Sequence, residues 1–457
     1  MRRAVHQTMP NATKPDARMP NETMTNPAPK TLDGHGFLNV VSRAEFCALL
    51  ACFAPLLPED VALGGALSRV LAADILSPEN LPATARASMD GYAVNARDVF
   101  GATETNPAYV DCVADLSIDW GSDRSGGGAD ADIRLQPGQA ARIPTGGTLP
   151  AGADAVVMVE HTGQLGAETI EVRRTAAPGE NVMLPGEDMT QGQVALPRGR
   201  TLRAQDIGLL AALGITSVRV GRRPRVGVLS TGDELIPASA TPRPGQIRDV
   251  NSSALCCLAT EAGAEALPLG ILPDDLPKLT HALSSALQTC DVVLLSGGSS
   301  LGARDHSVTA MLAQPGAEIL AHGIAISPGK PTILARCGQK AAPKTVIGLP
   351  GQVTSAQVVM AVLVKPFLRH LAGDASALTI APPPYVAELA RNIASKPGRE
   401  DFVRVRLEAR PGCAPLAHPV LGKSGLLKTL LDADGLIAVP ANAEGLYKGA
   451  LTAVWPL

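Results

Sequence analysis

The chain has 457 residues, a formal net charge of −3 and 46% hydrophobic residues, but only 3% aromatic and 18% charged side chains. At about 150 residues per domain this length predicts about three domains, whose cores are built from aliphatic side chains. The balanced charge argues against a dedicated nucleic-acid binder. Because no apolar run reaches about 18 residues, a membrane span is not expected.

The first residues of the chain predict a disordered tail on a cytoplasmic protein. Residues 1–35 are rich in proline and polar residues and lack hydrophobic periodicity, which is typical of disorder. The two arginines near the start are not followed by the apolar stretch of a secretory signal. The eight cysteines are scattered without a C-x-x-C pair, so neither a disulfide framework nor a cysteine zinc site is expected.

Three patterns follow this tail. Residues 42–53 have helical spacing, with Ser42 as the expected N-cap. Between residues 81 and 186, short β-rich runs alternate with glycine and proline turns, which predicts a small β domain. Residues 201–214 then predict an amphipathic helix that ends at Gly214.

From Val226 onward, strands alternate with helices, which predicts a parallel, doubly wound sheet. A long helix over 353–371 closes this domain, and the chain then returns to short alternating segments with glycine turns. The predicted domains are a disordered tail (1–35), a linker or helical-β domain (36–80 and 187–221), a small β domain (81–186), an α/β domain (222–380) and a C-terminal β domain (381–457).

Two predicted strand ends carry polar, glycine-rich turns at the edge where doubly wound sheets bind ligands. Residues 231–234 (TGDE) follow one strand, and residues 297–305 (GGSSLGARD) follow another. Glycines let the backbone approach a phosphate, and the amides of a following helix can bind it. Carboxylates beside a phosphate are consistent with a bridging divalent cation. Two such turns on neighbouring strands favour a ligand site over two ordinary tight turns.

Further segments carry possible binding groups. The segment ISPGKPT (326–332) lacks Walker A spacing, but its prolines flank Gly329–Lys330 and predict a rigid presentation of the ammonium group. The segment GLPGQ (348–352) predicts another strand-to-helix turn. In the small β domain, the acids and the threonine of SMDGYA, RIPTGG and PGEDM are, taken one by one, more typical of turns than of a site.

Taken together, these segments resemble the MoeA family of molybdopterin molybdenumtransferases. The resemblance runs from about residue 37 to the end and includes two C-terminal stretches. Its motifs, in order, are SMDGYA, RIPTGG, GEDM, LSTGDEL, LSGGSSLGARD, PGKP, GLPG, PGREDFVRVRL and KSGLL…ADGLIAVP. It implies an elongated multidomain α/β plus β fold, with a central doubly wound molybdopterin-binding α/β domain, a small β domain before it and a C-terminal β domain.

The resemblance implies an enzyme of molybdenum cofactor biosynthesis. Its members insert molybdate into adenylylated molybdopterin and release AMP with Mg²⁺. The resemblance also implies a homodimer, whose pocket lies between the α/β domain of one subunit and the small β domain of the other. A molybdopterin adenylyltransferase and the acceptor molybdoenzymes are the further candidate partners.

Site residues are carried over motif by motif from the resemblance. The implied catalytic residues are Asp90, Thr145, Glu187, Asp188, Glu234, Asp274, Asp305, Lys330 and Ser424. The implied cofactor-binding residues are Ser230, Thr231, Gly232, Asp233, Gly297, Gly298, Ser299, Gly302, Pro328, Gly329, Pro350 and Gly351. Among these, Asp305 and Glu234 would hold the metal ion, and Lys330 and Ser424 would face molybdate.

The sequence departs from the family pattern at three places. Ser327 replaces a frequent lysine or arginine, Gln352–Val353 replaces the usual asparagine-proline, and residues 183–185 replace frequent arginines. A non-catalytic molybdopterin-binding paralogue or scaffold is therefore the alternative hypothesis. A molybdopterin adenylyltransferase shares the TGDE and SGG turns, but it does not need the two β domains.

Overall fold

The computed structural model describes residues 40–116, 133–166, 168–297, 306–339, 341–379 and 385–457. Four residues of the predicted site lie outside these ranges, as does the predicted tail. Those four residues are Gly298, Ser299, Gly302 and Asp305. Within the described ranges, none of the helices has the length and apolar character needed to span a bilayer.

The first half of the described chain is mainly β structure. Its first helix begins where the sequence predicts, because Ser42 forms a capping box with Glu45. The elements up to residue 221 are α1 (Arg43–Ala51), β1 (Pro58–Ala62), β2 (Ile75–Leu76), β3 (Arg86–Ala87), β4 (Gly91–Val94), β5 (Ala108–Asp115), β6 (Gln139–Ile143), β7 (Ala155–Met158), β8 (Thr162–Leu165), β9 (Thr169–Val172), β10 (Val182–Met183), β11 (Val194–Leu196), α2 (Ala204–Ala212) and β12 (Ser217–Gly221).

The second half alternates helices and strands before it returns to β structure. A π-helical turn (Met360–Val364) joins two of its helices just before Pro366, whose ring nitrogen cannot donate a helical hydrogen bond. The elements are β13 (Arg225–Thr231), β14 (Leu235–Ile236), β15 (Ile247–Arg248), α3 (Asn251–Glu261), β16 (Glu265–Leu272), α4 (Leu276–Thr289), β17 (Val292–Ser296), α5 (Ser307–Leu312), β18 (Glu318–His322), β19 (Ile326–Ser327), β20 (Ile333–Cys337), β21 (Lys344–Leu349), α6 (Val353–Val359), α7 (Lys365–Leu371), β22 (Tyr385–Leu389), β23 (Ile393–Ala394), β24 (Glu400–Glu408), β25 (Leu416–Pro419), α8 (Lys428–Leu431), β26 (Gly435–Val439), β27 (Gly445–Leu446) and β28 (Leu451–Pro456).

Paired strands carry the chain to and from the small β domain. Strand β1 pairs antiparallel with β12, β2 with β11, and β3 with β10. Helix α2 packs beside this ladder, and Leu71, Leu210 and Val220 belong to its core. The outgoing and returning segments therefore run side by side.

The small β domain is one six-stranded sheet with the order β7-β4-β6-β5-β9-β8. Strands β4 and β6 are antiparallel, and Gly91 lies opposite Ile143. This register brings the residue before β4, Asp90, close to the turn after β6, which contains Thr145.

The α/β domain has a six-stranded sheet with the order β16-β13-β17-β21-β20-β18. Its first four strands are mutually parallel, as predicted, but β20 is antiparallel to both of its neighbours. Among the described residues, no helix separates β18, β20 and β21. A parallel return to the sheet needs a long crossover connection, which is usually a helix. One face of the sheet packs on α1, α3, α6 and α7, and the other packs on α4 and α5.

Helix α1 packs into the core of the α/β domain. Phe46 belongs to that core, and the ring of Phe53 meets that of Phe367 edge-on at 5.6 Å. The sequence pattern instead predicts that this helix belongs to a linker or helical-β domain over 36–80 and 187–221. Short-range helical spacing marks the apolar face of α1, but it does not identify the surface that this face covers.

The C-terminal domain is a small barrel. Strand β24 pairs with both β25 and β26, and β22 and β28 complete the closure. Short β19, in the α/β domain, adds parallel to β24 and joins the two domains through backbone pairing.

Candidate functional site

The carboxyl ends of three parallel strands lie side by side. Ser230 of β13 is in register with Ser296 of β17, which is in register with Leu349 of β21. Gly297 has a φ of 105°, and a Cβ there would collide with the carbonyl oxygen of Thr231, so only glycine fits. Two turns predicted from separate motifs therefore touch each other at this edge.

A buried polar network lies beneath these turns. The Ser230 hydroxyl donates to Asp249 Oδ1 at 3.1 Å. Asn251 Nδ2 donates to Ser296 Oγ at 2.7 Å and to the carbonyl oxygen of Gly351 at 3.0 Å. Sequence reasoning missed Asp249, Asn251 and Ser296. The available signal was the polar run DVNSS at the start of a helix that follows a strand-end turn.

Carboxylates surround the first of these turns. The Thr231 hydroxyl donates to Asp274 Oδ1 at 2.8 Å, and the backbone amide of Asp274 donates to Asp233 Oδ1 at 3.1 Å. The carboxylate of Glu234 folds over Gly232, where a Cβ would lie 2.8 Å from Glu234 Oε2. The structure thus brings these five predicted residues together.

An open cleft of about 550 Å³ lies beside this acidic turn. It follows the ends of β13 and β16, and its walls combine apolar side chains with backbone. Its lining residues are Gly232, Asp233, Leu235, Pro237, Gly270, Ile271, Leu272 and Pro273. Sequence reasoning did not identify the β16 side of this cleft.

The acids at this edge carry the hard oxygen ligands that Mg²⁺ prefers. Across the described ranges, however, no three His, Cys, Asp or Glu side chains are grouped closely enough to hold a metal ion. Asp305, which the sequence pairs with Glu234 as a metal ligand, lies outside those ranges. The donor chemistry fits a magnesium ion, but the ligand set remains a prediction.

Lys330 lies on a tightly held backbone turn. Its carbonyl oxygen accepts from the amide of Ile324 at 2.9 Å, and the Thr332 hydroxyl donates to the carbonyl oxygen of Gly329 at 2.7 Å. Gly329 has a φ of 122°, and a Cβ there would lie 2.6 Å from Val359. The Lys330 side chain is exposed and has no hydrogen bond or ion pair with a described residue. It is therefore available to an anionic ligand.

Ser424 joins the barrel to the start of α6. Its carbonyl oxygen accepts from the Thr354 amide at 3.1 Å and from the Thr354 hydroxyl at 2.6 Å. Gln352, the N-cap of α6, makes no side-chain capping bond. The barrel loop thus takes over part of the capping of this helix.

Arg404 is a buried cation that sequence reasoning missed. It is 8% exposed and donates to Thr429 Oγ1 at 2.6 Å and to the carbonyl oxygen of Gly422 at 3.0 Å. No described acid forms an ion pair with it, and burial lowers the pKa of its guanidinium. Its positive charge therefore lies beneath the loop that carries Ser424, without an ion-pair partner among the described residues. The motif PGREDFVRVRL contains this arginine, but its spacing does not show which arginine is buried.

The small β domain and the segment that leaves it hold a separate acidic group. Asp90 Oδ1 accepts from the amide of Thr145 at 2.6 Å and from its hydroxyl at 2.8 Å, and these bonds lower the pKa of Asp90. Glu187 closes a local turn by accepting from the Leu184 amide at 2.7 Å. Asp188 is exposed. No hydrogen bond or ion pair with another described residue connects these four residues to the α/β domain.

Three protein-family models match the chain in order. The MoeA N-terminal region, comprising domains I and II, matches residues 41–214. A probable molybdopterin binding domain matches residues 227–370, and the MoeA C-terminal region, domain IV, matches residues 386–457.

Two molybdopterin molybdenumtransferases and one solved structure are similar to this chain over most of their length. The molybdopterin molybdenumtransferase of Bacillus subtilis is 34% identical over 86% of this chain and 88% of its own. Molybdopterin molybdenumtransferase 2 of Mycobacterium tuberculosis is 32% identical over 88% of this chain and 95% of its own. A solved molybdopterin biosynthesis MoeA protein from Pyrococcus horikoshii has a TM-score of 0.75 and 31% identity, covering 92% of this chain and all of its own. The chain therefore belongs to the MoeA family and is an enzyme of molybdenum cofactor biosynthesis.

Proposed function

We propose that this protein inserts molybdate into adenylylated molybdopterin and releases AMP. The observation that carries the proposal is the meeting of three glycine-bearing strand ends above the buried network of Ser230, Asn251 and Ser296. Backbone turns of this kind accommodate phosphate oxygens, because no side chain stands in the way. The names of the relatives supply the substrate class.

The molybdate end of the proposed pocket lies toward the barrel. Molybdate is a dianion, so it requires nearby positive charge and hydrogen-bond donors. Lys330 has a free, exposed ammonium group, and Arg404 adds a buried charge beneath the loop of Ser424. In this proposal Lys330 and Ser424 bind molybdate directly, and Arg404 holds the loop in place.

The proposal assigns Mg²⁺ to Glu234 and Asp305. When bound, the ion would offset the negative charge of the phosphoric anhydride that links AMP to molybdopterin. Asp274 orients Thr231 through its 2.8 Å hydrogen bond, and in this proposal it thereby fixes the first turn beside the phosphates.

A homodimer would complete the site with the partner's small β domain. Exposed Met89 and Leu184 flank the acids of that domain, and exposed Leu421 and Leu426 flank Ser424. Apolar surface beside both halves of a divided site supports a contact between two copies. All eight cysteines are unpaired, which supports a location in the reducing cytoplasm.

The decisive measurement is AMP release from adenylylated molybdopterin with Mg²⁺, in the presence and absence of molybdate. We expect molybdate-stimulated release from the wild type and its loss in Asp305→Ala, because one ligand of the proposed ion is removed. Asp60 is an exposed acid on strand β1, so Asp60→Ala is the matched control and should retain full activity.

Two other outcomes would replace the proposal. Tight binding of the substrate without AMP release would favour the non-catalytic paralogue, which the substitutions at Ser327 and Gln352–Val353 suggest. Consumption of ATP with unmodified molybdopterin would indicate an adenylyltransferase instead.

A further inference from the structure

Arg43, the first residue of α1, links the α/β domain to the barrel. Its Nε lies 2.7 Å from Glu400 Oε2 and its Nη2 lies 3.0 Å from Oε1, a two-point ion pair with the first residue of β24. The guanidinium also lies 5.6 Å from the centre of the Phe402 ring. The Arg43 side chain is only 10% exposed, so solvent screens the pair weakly.

Arg43 joins the segment before α1 to the start of β24. Both of these segments form hydrogen bonds with the backbone that leads to Lys330. On one side, the amide of Val41 donates to the carbonyl oxygen of Gly323 at 3.2 Å, and the amide of Ala325 donates to the carbonyl oxygen of Val41 at 2.8 Å. On the other side, the amide of Glu400 donates to the carbonyl oxygen of Ala325 at 2.9 Å. Residues 323–325 therefore lie between the segment before α1 and the start of β24.

The position of Lys330 depends on this backbone, because its own side chain has no partner among the described residues. Its carbonyl oxygen is bonded to the amide of Ile324, inside the held segment. The strand that leads into the lysine turn begins at Ile326, which is in register with Glu400. Loosening the carboxylate partner of Arg43 would therefore loosen the start of the lysine turn.

We propose that Arg43 is a positioning residue for Lys330, acting through Glu400 and the backbone of 323–327. The inference rests on the proposed function, because Lys330 is there the molybdate-binding cation. Arg43 itself touches no substrate. Arg43 fixes the position of the Lys330 ammonium group. Its removal should therefore weaken the binding of molybdate and leave the binding of the pterin substrate unchanged.

The kinetic test compares Arg43→Ala with Arg410→Ala. Arg410 forms an ion pair with Glu388 at 2.6 Å in the same barrel, but neither residue contacts the lysine segment. We expect Arg43→Ala to raise the KM for molybdate about tenfold, since small misplacements of a binding group are costly. The KM for adenylylated molybdopterin should change less than about twofold, because its contacts are left intact.

Two further variants separate positioning from general damage. Arg43→Lys keeps one hydrogen bond but not the two-point geometry, so its KM for molybdate should be intermediate. The double variant Arg43→Glu with Glu400→Arg restores an ion pair of reversed polarity. Its KM for molybdate should therefore lie closer to the wild-type value than that of either single variant. Equal rises in both KM values, or equal effects of Arg43→Ala and Arg410→Ala, would overturn the proposal.

A measurement without turnover keeps the inference separate from the proposed function. Amide hydrogen exchange at Ile324 and Ala325 should accelerate in Arg43→Ala and stay unchanged in Arg410→Ala. Unchanged exchange at both amides would overturn the positioning role, even in an active enzyme. Accelerated exchange in a protein without molybdate-stimulated AMP release would overturn the proposed function and retain the structural link.

Discussion

Asp90 shows how one neighbour can set the charge of an exposed acid. Both hydrogen bonds from Thr145 reach the same oxygen, Oδ1, and both favour the ionised form, which lowers the pKa of Asp90. An aspartate with a lowered pKa stabilises the folded state above its ordinary pKa of about 3.9, and this contribution is lost as the pH falls below that value. At neutral pH the carboxylate is therefore fully charged.

We predict that Thr145→Val raises the pKa of Asp90 toward its ordinary value. The change removes the hydroxyl donor but keeps the backbone amide, so the rise should be partial. A carbon-13 NMR titration of the Asp90 carboxyl group measures this rise. Thr148→Val is the control, because Thr148 is an exposed threonine three residues further along the chain, where it pairs with Arg86. An unchanged titration in Thr145→Val would show that the hydroxyl does not act on this acid.

Individual residues of the site differ in how far the sequence could predict them. Gly297 and Thr231 lie in recognisable turns after apolar strands, and the structure brings them into contact. Asn251 and Ser296 are invisible to such patterns, because their hydrogen bond depends on the position of α3 against β17. The sequence did not predict a role for Arg404 for a related reason. Its burial without an acidic partner is a property of the folded barrel.

At the scale of elements, helix α6 and the barrel loop depend on one another. Thr354 is fully buried and bonds Ser424 through both its amide and its hydroxyl. A helix whose N-cap side chain makes no capping bond gains from an acceptor supplied by another element.

We predict that Thr354→Val lowers the free energy of unfolding by about 0.5–1.5 kcal/mol, the usual contribution of one hydrogen bond. It should also raise the KM for molybdate, because the loop that carries Ser424 loses an anchor. Thr354→Ser keeps the hydroxyl and serves as the control. Chemical denaturation and steady-state kinetics measure the two effects, and a Thr354→Val protein equal to wild type in both would contradict the coupling.

The sequence predicted elements better than their arrangement. The strands β13, β16 and β17 and the helices α3 and α4 appear where periodicity placed them, because each has a continuous apolar pattern. The antiparallel pairing of β18 and β20 was not anticipated. Direction depends on the connection between strands, and the segment between these two contains a lysine turn instead of a helix.

At the scale of the whole molecule, the proposed site is divided between two copies of the chain. Coexpression of Asp90→Ala with Lys330→Ala tests this arrangement. Each variant alone should be inactive. Random pairing gives half heterodimers with one intact site each, so the mixture should recover about a quarter of wild-type activity. A site built within one chain predicts no recovery, since every chain then carries one defect.

The paired strands that lead to the small β domain have an evolutionary consequence. Ser77 donates its amide to the carbonyl oxygen of Gln193 at 2.8 Å and accepts from the amide of Gly192 at 2.8 Å. The points where the chain enters and leaves the small β domain are therefore adjacent. A segment inserted between them closes a loop with almost no additional cost in entropy. Recombination with breakpoints at these positions could exchange the acid-bearing module without cutting any strand of the α/β sheet. In the proposed site, the half on the small β domain can then diversify while the half on the α/β domain keeps its scaffold.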